Sequence, residues 1–278
     1  MLKKVMAAAA ALVTAATLLL SPATANAQAD PNYHWRSDPV SKALAGKPFA
    51  DRVLNRVPGS HFDAHRIYPG AADSLRRGKS LYGPGTPIYV GPRGMCTVTA
   101  AGRDGAGRAV ALTAGHCGNV GDQVASADSL EAGWSGRIVR KNPHLDYAVI
   151  QLGGNAELTA SYNGSTIRSL GGAARPGQML CKNGYATGVT CGHTWIADHN
   201  RHNTQVCAMA GDSGAPLYDG TRLVGMINGS PLPPGINLEC KTPLQGGLHA
   251  PTVSTNIDRI ISDLNSAPGP GNGFRLAR

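Results

Sequence analysis

The six residues "GDSGAP", Gly211 to Pro216, hold Asp212 and Ser213 between two glycines and close on Ala215 and Pro216. A serine hydroxyl is a weak nucleophile at neutral pH, so such a turn either activates it or serves another end. Two other stretches supply what activation needs. "LTAGHCG", Leu112 to Gly118, ends a β-type run on His116, and "HLDYAVIQL", His144 to Leu152, opens another on Asp146. An imidazole can take the hydroxyl proton, while a carboxylate fixes its tautomer and steadies the imidazolium. Any one of the three residues alone says nothing. Together, each at a strand end or tight loop, they point to nucleophilic catalysis.

The rest of the chain bounds where that chemistry operates. Lys3 and Lys4 precede an apolar run from Val5 to Leu20, then small residues through Ala25, Ala27 and Ala29. This reads as a secretory leader over residues 1–29; the run is short for a membrane anchor and is followed by Ser21 and Pro22. Losing the leader removes two lysines and no acid, so a net charge of +9 becomes +7. The basic residues are scattered without a recognition motif, so no specific nucleic acid is expected. Six cysteines, an even set in an exported chain without any C-x-x-C pair, favour disulfides over a metal site.

Residues 30–85 are polar, basic, broken by Pro and free of cysteine, with weak helical stretches at 41–54 and 71–81. They read either as a propeptide or as a permanent extension wrapping the core. At "YGPGTPIYVG", Tyr82 to Gly91, the composition changes to short β-type runs separated by Gly, Pro, Asn and Asp. These continue through "GGLHAPT", Gly246 to Thr252, and indicate an all-β sandwich or barrel over residues 86–265. "IDRIISDLN", Ile257 to Asn265, spaces its apolar residues as a closing helix. The tail, 266–278, has no apolar period and reads as flexible.

"TAGHC" and "GDSGAP" resemble the hallmark segments of the chymotrypsin-like serine peptidases, each departing by one residue. "CKNGYATGVTCG", Cys181 to Gly192, and Cys207, six residues before Ser213, resemble the secreted bacterial branch. The resemblance implies two packed six-stranded antiparallel β-barrels with a short C-terminal helix. It implies a triad of His116, Asp146 and Ser213, an oxyanion hole from the amides of Gly211 and Ser213, and an acyl-enzyme on Ser213. It implies disulfides Cys96–Cys117, Cys181–Cys191 and Cys207–Cys240, and a buried pair of Lys182 with Asp212. The substrate pocket would be lined by Ala208, Met209, Ile227, Asn228, Gly229 and Ser230. No carboxylate is expected at its base, so apolar side chains should enter. The expected molecule is a secreted, monomeric endopeptidase acting on polypeptides, without metal or organic cofactor.

Two departures qualify this picture. Ala215 stands where relatives have glycine, and a positive φ there would cost about 1 kcal/mol or shift the loop. That keeps a second expectation in view, a catalytically silent secreted binding protein with the same fold. Asn228 replaces a serine that bonds the triad carboxylate in relatives, and an amide donor can do the same. Asn228 and Asn163 also open glycosylation sequons, although Asn-Gly favours tight turns. No "IVGG" terminus occurs, so Lys182 would serve Asp212 without a new amino terminus. Removing residues 30–85 would then unblock the cleft or finish a folding task.

Overall fold

Tyr147–Leu152 shows how the β pattern builds the core: its side chains alternate between two apolar clusters. Ala148, Ile150 and Leu152 face Ile88, Val124 and Ile138, whereas Tyr147 and Val149 face Ile257, Ile260 and Leu264. A strand apolar on both faces must be covered on both, here by a barrel interior and by the C-terminal helix. These relations come from a computed structural model, which describes residues 30–278 except Arg93, Pro234, Gly235 and Asn237. The expected leader lies outside the described residues.

The molecule is mostly β, in two barrels. In the first sheet the strand order is Arg275–Leu276, Ala100–Arg103, Ala109–Ala114, Tyr147–Leu152, Gly136–Asn142, Gln123–Ser126, Pro87–Val90, Gly94–Thr97. Its two inner limits, Gly94–Thr97 and Ala100–Arg103, are successive pieces of one run, broken at Val98 and Thr99. Val98 bonds Thr86 on one side and Thr99 bonds Leu112 on the other, so the sheet curls into a half-open barrel. The second barrel closes by hydrogen bonds. Arg222–Gly229, Pro216–Asp219, Met179–Gly184, Gly188–Ala197, Arg201–Thr204 and Thr252–Asn256 follow in a ring, and the last pairs back with the first.

Residues 30–85 are folded onto these barrels. His34–Arg36 pairs with Val53–Asn55, and short helices occupy Pro39–Leu44 and Pro69–Arg76, each a few residues from its expected place. Ser80–Tyr82 runs parallel to Ala156–Leu158 in the link between the barrels. Val53 and Leu54 are fully buried, and the Tyr68 and Tyr162 rings lie 5.1 Å apart.

Two expectations need correction. The tail is not loose: Arg275–Leu276 pairs antiparallel with Gly102 and Arg103, and Phe274 is only 6% exposed. One aromatic and a backbone ladder hold it, neither of which leaves an apolar period. Gly102 permits the approach, since a Cβ there would stand 1.9 Å from the Arg275 carbonyl oxygen. The last strand also lies further on than "GGLHAPT", at Thr252–Asn256. Its inward residues Thr252, Ser254 and Asn256 are polar, which inverts the usual alternation.

Candidate active site

The strand pairing sets the histidine beside the aspartate. Ala114 lies opposite Tyr147, so the residues that follow the one strand and precede the other come abreast. The Gly115 N–H donates to the Asp146 carbonyl at 2.8 Å, and a Cβ on Gly115 would meet the Tyr147 nitrogen at 2.9 Å. Asp146 has φ of +48°, a left-handed bend that turns its carboxylate back onto His116. Its Oδ1 accepts from the His116 backbone N–H at 2.8 Å, and its Oδ2 lies 2.8 Å from Nδ1. On the far side of the ring, Nε2 is 2.8 Å from Ser213 Oγ. With the proton assigned to Nδ1, Nε2 accepts from the hydroxyl.

Asn228 completes the carboxylate's shell. Its amide donates to Asp146 Oδ2 and to the Asp146 carbonyl, both at 2.8 Å, while its Oδ1 accepts from the Thr255 N–H at 2.7 Å. Burial alone would push the Asp146 carboxyl up. The His116 ring and the Asn228 amide more than offset it, holding the group below the usual carboxylate range. With its amide engaged in this way, Asn228 is ill placed to carry a glycan. Asn163, at φ +44°, sits in a tight turn.

The Ser213 loop is tied to the first barrel. Thr97 Oγ1 donates to the Gly211 carbonyl at 2.9 Å, Thr99 Oγ1 to the Gly214 carbonyl at 2.6 Å, and the Thr97 N–H to the Ser213 carbonyl at 2.8 Å. Gly214, at φ +85°, leaves no room for a side chain, because a Cβ would stand 2.2 Å from the Thr97 oxygen. The amides of Gly211 and Ser213 have no acceptor among the described residues. Ala215 is fully buried and is not among the positive-φ residues, so the methyl group introduces no backbone strain.

Behind the loop, Asp212 is buried and densely bonded. The Ala186 and Thr187 amides donate to Oδ1 at 2.8 and 3.2 Å; the Met209 amide and Thr187 hydroxyl donate to Oδ2 at 3.1 and 2.7 Å. Lys182 Nζ stands 3.5 Å from Oδ2 and also donates to the Thr187 hydroxyl and, at 2.7 Å, to the Gly188 carbonyl. Burial lowers the lysine's affinity for its proton, and Asp212 works against that. The cysteines are joined as Cys96–Cys117, Cys181–Cys191 and Cys207–Cys240. The first pins the turn that carries His116.

Beside Ser213 lies a cavity of about 230 Å³ walled by Ala208, Met209, Ile227, Asn228, Gly229 and Ser230. Leu238, Glu239, Ala250, Pro251 and Thr252 complete it, and sequence reading named none of these. Glu239 brings a carboxylate to the wall, where Oε1 accepts the Ala210 N–H at 3.1 Å. The described residues include no cluster suited to a metal ion, and none of their helices is long and apolar enough to cross a membrane.

No family model matches the chain. Serine protease 2 of Streptomyces fradiae is 28% identical over 161 residues, covering 52% of this chain and 92% of that protein. The solved structure of Nocardiopsis protease is 25% identical, with a TM-score of 0.56 over 72% of this chain and 100% of its own. Thermobifida fusca protease A, at 22% identity and TM-score 0.55, shares the fold over 71% of this chain and 100% of its own. With the two-barrel architecture, these likenesses support a chymotrypsin-like serine peptidase of bacterial type. The chain is a serine endopeptidase.

Proposed function

We propose that the protein is a secreted endopeptidase in which Ser213 Oγ attacks the scissile carbonyl and His116 takes the hydroxyl proton. The unbroken line from Asp146 Oδ2 through Nδ1 and Nε2 to Oγ, 2.8 Å at each step, carries this reading. The attack forms a bond from Oγ to carbon and moves the carbonyl π electrons onto oxygen. The Gly211 and Ser213 amides then receive that oxyanion, and one such donor is worth about 3–4 kcal/mol to the transition state. Imidazolium next gives its proton to the leaving amine, and the peptide C–N bond breaks. Water, deprotonated by the same imidazole, attacks the acyl-enzyme and releases the acid. Asp146 holds the ring and balances its charge without taking the proton.

Specificity follows from the cavity. Ala208, Met209, Ile227, Leu238, Ala250 and Pro251 give it a mostly apolar lining, with the Glu239 carboxylate in one wall accepting the Ala210 N–H, so medium or large apolar side chains should precede the cleaved bond. One methylene distinguishes substrates by only about 1–3 kcal/mol, so the preference is broad. Three disulfides support an oxidising, extracellular setting. The silent-binder alternative rests on strain at Ala215 or on occlusion by the N-terminal arm; against it, Ala215 is not among the positive-φ residues, and among the described residues none from 30–85 lines the cavity beside Ser213.

A fluorophosphonate probe tests the reading. It should label the wild type and leave Ser213→Ala unlabelled, and peptide anilides ending in Leu or Phe should outrun those ending in Lys or Glu. An unlabelled wild type would overturn the catalytic reading, and faster turnover of the Lys substrate would overturn the pocket assignment.

A further inference from the structure

We infer that residues 30–85 remain part of the working enzyme, and that Val57 and Ser60 act as positioning residues for the oxyanion-hole loop. This rests on the peptidase reading above. A donor array works only if its amides are held in place before the charge develops. Yet Gly211 and Gly214, at φ +101° and +85°, give this loop little stiffness of its own. Stiffness must come from what packs against it.

Val57 supplies that contact. It is 4% exposed and shares a cluster with Tyr185, Ala186 and Met209. The position a Cβ would take on Gly211 lies 3.3 and 3.4 Å from the two Val57 methyls and 3.3 Å from Ala186 Cβ, so these groups wall the back of the glycine. Ser60 Oγ donates to the Ala186 carbonyl at 2.7 Å, and the Ala186 N–H donates to Asp212 Oδ1 at 2.8 Å. A continuous path therefore runs from the extension to the residue before the nucleophile.

The path is anchored at its other end. Arg56, next to Val57 and 2% exposed, bonds Asp30 Oδ2 through Nε and Nη2 at 3.0 and 2.8 Å, and bonds Asp128 of the first barrel through Nη1. Tyr185 and Tyr89 donate to the same Asp30 carboxylate at 2.9 and 2.8 Å. Beyond Ser60, the His61 N–H donates to the Lys241 carbonyl at 2.8 Å, next to Cys240. Among the described residues, none from 30–85 lines the cavity beside Ser213. The segment is a brace, not a plug. Excising it would strip Asp128 of its cation and bare Val57's side of the loop.

The test uses Val57→Ala, Ser60→Ala and the conservative Val57→Ile in the full exported chain. Substrate hydrolysis is compared with affinity for a matched peptide aldehyde, which forms a tetrahedral adduct, and for the product peptide, which does not. Val57→Ala should lower kcat and weaken aldehyde binding together by about tenfold to a hundredfold, with KM and product binding within about twofold. Ser60→Ala, a loss of one hydroxyl that the fold should tolerate, should show a smaller loss of the same kind, and Val57→Ile should recover most of the rate. Two results would overturn the proposal. One is kcat and aldehyde binding at wild-type level in Ser60→Ala and in Val57→Ala where it folds; the other is active enzyme that by mass lacks residues 30–85. A wild type that resists the fluorophosphonate would instead sink the peptidase reading itself.

Discussion

Two buried charge clusters stand behind the Ser213 loop, and they are built differently. At Lys182 and Asp212, the ions are 3.5 Å apart and the carboxylate draws on three amides and a hydroxyl besides. At Arg56, one guanidinium serves two carboxylates, Asp30 and Asp128, and lies 5.2 Å from the centres of the Tyr33 and Tyr185 rings. Burial alone would weaken the hold of Arg56 on its proton, but Asp128, Tyr185 and Asp30 raise it well above the ordinary range. In the first cluster the anion is the hub and neutral donors share the load. In the second the cation is the hub: Arg56 bonds both acids, while Tyr89 and Tyr185 donate to Asp30 and Tyr162 donates to Asp128.

The difference predicts unequal responses to losing the cation. Arg56→Met should be the most damaging, since removing one partner of a buried ion pair costs about 3–5 kcal/mol and here leaves two buried acids without their shared cation. Urea unfolding of the purified protein would measure it. Lys182→Met should cost less, about 2 kcal/mol, because Asp212 keeps its four other donors. The same titration would break the comparison if this variant proved the weaker of the two. The exposed cluster around Glu157 sets the lower limit. Hydrogen bonds from Arg77 and Ser74 hold that carboxyl at about 2, against an ordinary 4.5. A depressed carboxyl stabilises the fold above its unfolded value and loses that effect as pH falls through the folded one. Glu157→Gln should therefore lower the melting temperature slightly at pH 7, by under about 1 kcal/mol of stability, with the gap to wild type closing between about pH 4.5 and 2. A gap that persists at the acid end would show that the effect is not the ionised pair.

How much of this could be read from the chain depends on where the information lies. His116, Asp146 and Ser213 were legible because their immediate neighbours carry the constraint: Gly115 and Gly214 occupy places with no room for a Cβ. Asn228 could be matched to the carboxylate through the strand that holds it. Thr97 and Thr99 could not, since they reach the loop from more than a hundred positions away and a threonine in a β run has no mark of its own. Glu239 was hidden because none of its sequence neighbours marks it as facing the cavity. Residues 30–85 left two readings open by composition, a propeptide or an extension wrapping the core. Their buried members, among them Val53, Leu54, Val57, Ala71 and Leu81, follow no helical or strand period, because the segment is ordered by surfaces that the later barrels provide. Thr252–Asn256 escaped notice through its polar inner face, where Ser254 Oγ sits 3.2 Å from Nδ1 of the buried His202.

The ladder between Arg275–Leu276 and the strand Ala100–Arg103 has a consequence for life in a crowd. A bare sheet margin invites a neighbouring molecule to add its own strand, the first step toward fibres and precipitates. Here the chain's final residues hem that margin, with the Ala277 N–H donating to the Ala101 carbonyl at 2.9 Å. Colloidal behaviour is thus written into Arg275, Leu276 and Ala277, far from any chemistry the molecule performs.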